Sequence, residues 1–348
     1  MRVVVTGGTG NVGSRLVERL AADPEVDEVV AVSRREPDDV PAGVEWRAAN
    51  LAEHVPRDLL PGVDAVVHLA WLFQPTRDPG ATWRANVEGT VRLLSAAADA
   101  GVRTVVQASS VGVYSRGPGR RPVDESWPAH GIPTAAYSRE KAYVERLLDV
   151  FEQHNPSTRV VRMRPAFIFR RESSVQQRRL FAGPLAPTRL ISHLPLPVLP
   201  DPGVTLQVVH TDDVVEAYRL ALLREVRGAF NIATGPTLDV PAIARLLGAR
   251  AVPVPARLTR LGVGAAWAAH LLPASPGLFD LLAQIPVMRT DRAREELGWE
   301  PQRDAETTFG ELWAGFRSGE GGPTPPLAPA TSGRLRSHEF ATGLGWRP

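Results

Sequence analysis

Two hydrophobic rhythms alternate along this chain. Short β-branched runs, apolar at successive positions, give way to stretches whose apolar residues return every three or four, the signatures of buried strands and of helices. The runs are Arg2-Val3-Val4-Val5, Glu28 to Val32, Val44 to Arg47, Asp64 to Ala70, Thr104 to Ala108 and Arg159 to Arg164, the last closed by Pro165. Helical stretches between them include Ser14 to Ala22, Ala81 to Ala100 and Ala135 to Leu148. This alternation, sustained to residue 165, predicts an α/β fold built on a doubly wound parallel sheet.

Further on, Glu172 to Gly203 is a proline-broken, mostly apolar insertion. Gln207 to Asp213 opens a helix with an aspartate cap, Gly228 to Gly235 reads as a return strand, and the remainder is helical to about Arg317. The chain therefore divides into a nucleotide-type domain over 1–169, completed by 207–235, and a smaller C-terminal substrate-binding lobe over 170–206 and 236–317. From Ser318 to residue 348 Gly, Pro and Ser dominate without periodicity, and this tail is expected to be disordered.

Between the first strand and the first helix lies Thr6-Gly7-Gly8-Thr9-Gly10-Asn11-Val12-Gly13. Glycines at 7, 10 and 13 permit a tight turn, close approach to a pyrophosphate and packing of helix on sheet, while the helix N-terminus offers N–H groups to the anion. The pattern predicts a Rossmann-type dinucleotide site that includes Asn11 and Val12. At the end of the second strand, where a ribose-reading acid belongs in an NAD site, the chain has Ser33-Arg34-Arg35. A serine and arginines suit a 2′-phosphate, so NADP is expected in preference to NAD. Asn50 and Leu51, after the third strand, are placed to flank the adenine. Leu69, Ala70, Ala108, Pro165 and Phe167 stand at the carboxyl ends of later strands, on the rim of the same cleft. Trp71 and Phe73 either line a substrate cleft or cover the core.

Candidate chemistry concentrates in the helix from Ala135. Tyr137 and Lys141 are four residues apart and share a face, so a phenol sits beside an ammonium that favours its ionised form. Composition sharpens this: of 40 Lys and Arg residues, Lys141 is the one lysine. A compact, rotatable charge is suited to a ribose and a neighbouring phenol in a way the planar guanidinium is not. Ser109-Ser110-Val111 follows the fifth strand, and Ser110 can hold a substrate oxygen for the phenol to protonate, with Val111 beside it.

Net charge is +2 and the arginines are dispersed, which gives no basis for nucleic-acid binding. The pairs Arg120-Arg121, Arg170-Arg171 and Arg178-Arg179 are read as solvated surface, with Arg178 kept as a candidate substrate contact. Cysteine is absent, which excludes disulfides and thiolate metal sites; no metal is expected, and a reducing cytoplasm is. The chain opens directly on a strand, so no signal peptide is expected. Its longest apolar stretch, Leu261 to Pro273, contains His270 and is shorter than the ~20 residues of a membrane span, so no membrane partner is expected.

Taken in order, Thr6 to Gly13, Asp64 to Ala70, Asn86-Val87-Glu88-Gly89-Thr90, Ser109 to Tyr114, Tyr137 to Lys141, Arg164-Pro165, Val209 to Asp213 and Glu296-Leu297-Gly298-Trp299 form a series. In these the chain resembles the extended short-chain dehydrogenase/reductases, or NAD-dependent epimerase/dehydratase family, over roughly residues 2–317. The resemblance implies an NAD(P)-dependent oxidoreductase with Tyr137 as acid/base, Lys141 on the ribose, Ser110 polarising the substrate and Asn86 in a supporting or relay role. It also implies a homodimer through the helices near 81–100 and 137–151. Sugar-nucleotide enzymes of the family carry an asparagine after the sixth strand to hold the diphosphate; here that neighbourhood reads Pro165-Ala166-Phe167-Ile168-Phe169. A dehydrogenase or ketoreductase acting on a small apolar metabolite is therefore set first, with a sugar-nucleotide epimerase/dehydratase and a catalytically silent regulatory protein as alternatives. On the first reading Leu180, Phe181, Leu185, Leu190, Leu194, Leu196 and Leu199 of the insertion cap an apolar pocket.

Overall fold

A computed structural model describes residues 1–119, 121–185, 198–333 and 336–341. Seven parallel strands lie in the order β10-β6-β5-β4-β1-β2-β3. They are β1 (Arg2–Thr6), β2 (Glu28–Ser33), β3 (Val44–Ala48), β4 (Ala65–His68), β5 (Thr104–Ala108), β6 (Arg159–Pro165) and β10 (Gly228–Ile232). The valine runs take this arrangement because both faces of each strand are covered. Val3 and Val5 pack with Leu16, Val17 and Leu20 of α1 (Asn11–Ala21), and with Val214 and Tyr218 of α6 (Thr211–Leu223). Val4, Val30 and Val66 face the other way, onto Leu93 and Ala96 of α3 (Gly89–Asp99). Val105 and Val160 meet Val144 and Leu148 of α4 (Ala136–His154). Strand order reverses between β1 and β4, and the crevice at their carboxyl ends is where ligands of open α/β sheets bind.

Two small sheets extend this frame. One is β11-β9-β7, formed by β7 (Phe167–Phe169), β9 (Thr205–His210) and β11 (Thr234–Asp239); the other pairs β8 (Val198–Asp201) with β12 (Arg250–Pro253). The expected return strand is thus two strands, β10 in the seven-stranded sheet and β11 in the three-stranded one. The helix expected over 81–100 is divided: α2 (Pro79–Trp83) runs into a π-helical turn at Arg84–Glu88 before α3. Asn86, a poor helix former, lies in that turn. The helix after β9 is capped not by an aspartate but by His210, whose Nδ1 accepts from the Asp212 N–H at 3.1 Å.

The C-terminal expectation needs a larger correction. Residues 318–333 and 336–341 include a 3₁₀ turn (Pro329–Ser332) and the short helix Ser337–Ala341, and they pack back on the chain. Thr324 Oγ1 donates to the Thr9 carbonyl at 2.8 Å, and Glu339 forms a buried ion pair with Arg178. Partners more than 150 residues away hold this segment, which no local periodicity can signal.

Beneath the crevice, His68 on β4 is buried between Thr6 Oγ1 (2.6 Å from Nδ1) and Thr90 Oγ1 (3.0 Å from Nε2). Thr90 gives its proton to the Asn86 carbonyl and Thr6 accepts from the Ala70 N–H. Nε2 must therefore carry the imidazole proton, and Nδ1 accepts. Burial, reinforced by the charge of Lys141, pushes His68 down to about 3. The unfolded chain, with His near 6.5, takes up a proton that the folded protein refuses, so this contribution is complete above about pH 6.5 and is lost as pH falls toward the folded value. Between about pH 6 and pH 4 the stability of wild type should fall more steeply than that of His68→Gln, by about 1.4 kcal/mol per pH unit. Urea unfolding at several pH values measures the difference; equal slopes would remove His68 from the account.

Candidate functional site

The glycine turn is shaped by contacts that a side chain would destroy. Gly7 has φ +76°, and a Cβ there would lie 2.7 Å from the Ala70 nitrogen; one on Gly13 would lie 2.2 Å from the Gly7 carbonyl. No side chain caps α1 and no acid stands in its first turn, so its N-terminal N–H groups face the crevice without an internal anion. A cradle of this kind fits a pyrophosphate. At the end of β2, Ser33 donates to the Arg35 carbonyl (2.6 Å) and accepts from Trp46 Nε1 (2.9 Å). Arg34 has no carboxylate partner among the described residues. Arg34 is exposed at the mouth of the crevice, and desolvation by its surroundings, with the charge of Arg35 beside it, lowers its pKa, as expected of an uncompensated cation.

Opposite the turn, β5 ends in Ser109-Ser110 and a 3₁₀ turn, Val111–Val113, capped by Ser110 Oγ, which accepts from the Gly112 N–H at 3.0 Å. Gly112 is a glycine because Tyr137 fills its side-chain space: a Cβ would be 2.8 Å from the ring. The Tyr137 phenol and the Ser110 hydroxyl line the same cavity, close enough for Ser110 to favour the ionised phenol. The tyrosine ring also packs on Trp71 (centroids 5.9 Å apart) and Phe73 (4.8 Å).

Lys141 is buried, donates to the Ala108 carbonyl at 2.7 Å, and lies 3.4 Å from the centre of the Trp71 ring. Burial lowers its pKa to about 7, against the opposing charges of Glu140 and Glu145. For Tyr137, burial raises the pKa to about 12; Ser110 opposes this and Glu140 adds to it. The expected lowering of the phenol by Lys141 is thus not realised in this arrangement. The ammonium is committed to Ala108 and Trp71, 5.8 Å from the centre of the tyrosine ring.

Asn86 touches none of these reacting groups. Its amide donates to the Leu72 carbonyl (2.9 Å) and to Glu140 (2.7 Å), while its oxygen accepts from the Leu72 N–H (2.7 Å). It fixes the loop that carries Trp71 and Phe73, so it is a positioning residue rather than a catalytic one.

A buried fork lies under the whole assembly. Arg164, at the end of β6, makes two bonds to Glu145 of α4, a third to the Tyr114 hydroxyl (3.0 Å) and a fourth to the Glu125 carbonyl (3.0 Å). Ser109 donates to the same Glu145 at 2.5 Å. Burial would push Glu145 up, but Arg164 and Ser109 hold it below the usual carboxylate range; Arg164, despite its burial, is raised by the same pair. Sequence reading marked Arg164 within a motif and missed its partner.

A cavity of about 900 Å³ joins these parts. It is lined by Gly7, Gly10, Asn11, Val12, Gly13, Ser33, Arg34, Asn50, Leu51, Leu69, Ala70, Asn86, Ala108, Ser110, Val111, Tyr137, Lys141, Pro165 and Phe167, and by Trp71 and Phe73, of which Trp71 also packs against the core. Arg35 does not line it. The far end is largely apolar, walled by Leu180 and Phe181 of the insertion and by Leu278, Phe279, Leu282 and Ile285 on or just after α9 (Pro276–Gln284), with Gln176, Gln177 and Arg178, the candidate substrate contact, also on the lining. Nothing local in the sequence marked these α9 residues. Of the other insertion residues, Leu185 is exposed, Leu199 belongs to β8, and Leu190, Leu194 and Leu196 fall outside the described residues. The arginine pairs also need correction: Arg170 and Arg178 are buried, Arg170 on Ser14 and Arg178 on Glu339.

A parallel sheet whose glycine turn opens onto a cleft holding serine, tyrosine and lysine defines an NAD(P)-dependent enzyme of the extended short-chain dehydrogenase/reductase type. The chain belongs to the NAD dependent epimerase/dehydratase family, whose model matches residues 3–233. It is 30% identical over 326 residues to a UDP-glucose 4-epimerase of Mycolicibacterium smegmatis, covering 87% of this chain and 94% of that one. Over 171 residues, 49% of this chain and 51% of the other, it is 32% identical to a 4-hydroxy-2-methyl-3-oxo-4-farnesyl-3,4-dihydroquinoline-1-oxide ketoreductase of Stigmatella aurantiaca. Among solved structures, a Thermus thermophilus UDP-glucose 4-epimerase complexed with NAD shares the fold, with a TM-score of 0.67 at 24% identity, covering 91% of this chain and 99% of that one.

Replacing Tyr137 by Phe keeps the ring packing and removes the proton. Turnover on any accepted substrate should fall by about 10²–10⁴, with cofactor affinity nearly unchanged. Steady-state rates and a cofactor titration test this together; activity within threefold of wild type would exclude Tyr137 from the proton transfer.

Proposed function

We propose that the protein is an NADP-linked ketoreductase acting on a small, apolar carbonyl compound. The observation that carries this reading is the continuity of one cavity from the glycine turn, past Ser110 and Tyr137, into an end walled by Phe73, Phe181, Leu278 and Leu282. The cofactor, when bound, supplies the hydride. Ser110 and Tyr137 hold the substrate oxygen between them, and a phenol whose pKa is raised to about 12 is protonated at neutral pH, a donor suited to carbonyl reduction. Lys141 binds the ribose, the first turn of α1 the pyrophosphate, and Arg34 the 2′-phosphate.

The likeness to a ketoreductase with a farnesyl-bearing substrate supports the apolar assignment. The epimerase alternative is favoured by the likeness to the UDP-glucose enzymes. Against it stands the apolar sequence Ala166-Phe167-Ile168-Phe169 after β6, which has no amide to hold a diphosphate. We also infer a cytoplasmic homodimer through α2, α3 and α4, where Trp83, Val91, Tyr143 and Val150 are exposed and the Trp83 and Tyr143 rings lie 4.9 Å apart.

Charge-assisted bonds to a phosphate are worth about 1.5–3 kcal/mol, so Arg34→Ala should weaken NADPH binding roughly 10–150-fold while leaving NADH binding almost unchanged. Dissociation constants for both cofactors decide the point, and tighter NADH binding by wild type would overturn the NADP assignment. Titration with UDP- and GDP-sugars separates the two substrate readings. No competition with the carbonyl substrate is expected, whereas micromolar binding of either sugar nucleotide would establish the epimerase reading instead.

A further inference from the structure

The helix α8 (Ala256–Ala268) has no buried residue. Leu258, Leu261 and Leu271 just beyond it are 58%, 65% and 52% exposed; the first two are the most exposed large apolar side chains among the described residues. Arg257, Leu258, Leu261, Ala265, Ala268 and Ala269 all fall on its outer side. Its inner side is different: Val263 lines the cavity, as do Leu272 and Ala274 after the helix, and the Trp267 ring takes Arg77 at 4.4 Å. One helix therefore presents a bare apolar face outward and walls the apolar end of the cavity inward.

Charge says what that face meets. From Val240 to Phe279 there is no Asp or Glu, while Arg245, Arg250, Arg257 and Arg260 are present. Arg260 is neutralised by Asp280, but Arg245, Arg250 and Arg257 have no carboxylate partner among the described residues. On the helix itself unpaired Arg257 adjoins Leu258 and Leu261, and exposed leucines beside an unpaired cation, in a stretch without acids, are the composition of a helix that lies in a lipid headgroup layer, with its apolar side sunk toward the acyl chains. A second copy of the chain would bring the same unpaired cations together, which disfavours self-association through this face.

We propose that the outer face of α8 docks on an anionic bilayer surface and that an apolar substrate passes from the bilayer into the cavity beside it. The docking surface stands apart from the identity of the substrate; only the delivery step rests on the apolar reading of the cavity. No helix among the described residues is long and apolar enough to cross a membrane, and none needs to. The earlier expectation of no membrane partner followed from the lack of a spanning stretch, which does not bear on a helix lying in the surface.

The test is co-sedimentation of the full chain with phosphatidylcholine vesicles, with and without about one-third phosphatidylglycerol. Binding is expected to the anionic vesicles alone and to weaken as salt is raised from low concentration to about 0.5 M. Leu258→Ser/Leu261→Ser should bind at least roughly tenfold more weakly, since the apolar face supplies the insertion. Neither leucine lines the cavity, so the double variant should keep wild-type cofactor binding and melting temperature, which controls for folding. Arg257→Ser should reduce binding without abolishing it. The proposal is overturned if wild type stays in the supernatant at low salt, or if the double variant sediments like wild type. A shift of the double variant to a smaller oligomer, with no vesicle binding by wild type, would assign the face to self-association. Sugar-nucleotide binding in the titration above would change the substrate reading and leave vesicle binding as an independent result.

Discussion

The fork between Arg164 and Glu145 is the constraint on which the site depends. It joins the end of one strand to the helix that carries Tyr137 and Lys141, and through Ser109 it reaches the turn that carries Ser110. The Tyr114 hydroxyl extends it to Asn231 on β10. Such a pair is costly to desolvate and gains little net stability, but removing one partner leaves an uncompensated buried charge, at a cost of about 3–5 kcal/mol. What the pair provides is position. A guanidinium fork meets a carboxylate in few orientations, so α4 and the β5 turn are held in one register and Ser110 stays within reach of the phenol.

Around this anchor the site is electrostatically tense. Burial works against the charge of Lys141 and against ionisation of Tyr137, and it leaves His68 neutral. Lys141 and Tyr137 line the cleft, with His68 sealed beneath it, and the shifts of these two can be relieved by a ligand of the right charge. The ammonium near 7 gains from any negative or polar group brought to it, and the protonated phenol from an oxygen that accepts its proton. In a chain that otherwise uses arginine throughout, the single lysine at this position answers to that need, because its compact ammonium can lie over Trp71 and still reach a carbonyl.

Much of this was legible in the order of residues. Alternating valine runs and amphipathic stretches exposed the sheet because both faces of it are covered. The glycine turn and the Tyr137–Lys141 spacing are local patterns, and local patterns survive into structure. What stayed hidden is non-local. Arg178 pairs with a glutamate 161 positions away, and a Gly/Pro-rich segment is held by that pair, by the Thr324 hydroxyl on the Thr9 carbonyl, and by Ser174 and Arg179 on the carbonyls of Glu320 and Pro326. Asn86 was conspicuous as a residue helices avoid, but its use on the Leu72 backbone depends on where a distant loop arrives. The phenol's pKa ran opposite to expectation because spacing along a helix says nothing of burial, and burial outweighs a cation whose bonds are already made.

We infer that the buried fork acts on catalysis by holding Ser110 opposite Tyr137. A double-mutant cycle on turnover, with Glu145→Gln, Ser110→Ala and the combined variant, tests it most directly. If the claim holds, each single change lowers the rate strongly and the second adds little once the first is made, since loss of the fork has already disengaged the serine. Fully additive losses would mean that the two act independently, and the fork would be a matter of stability alone.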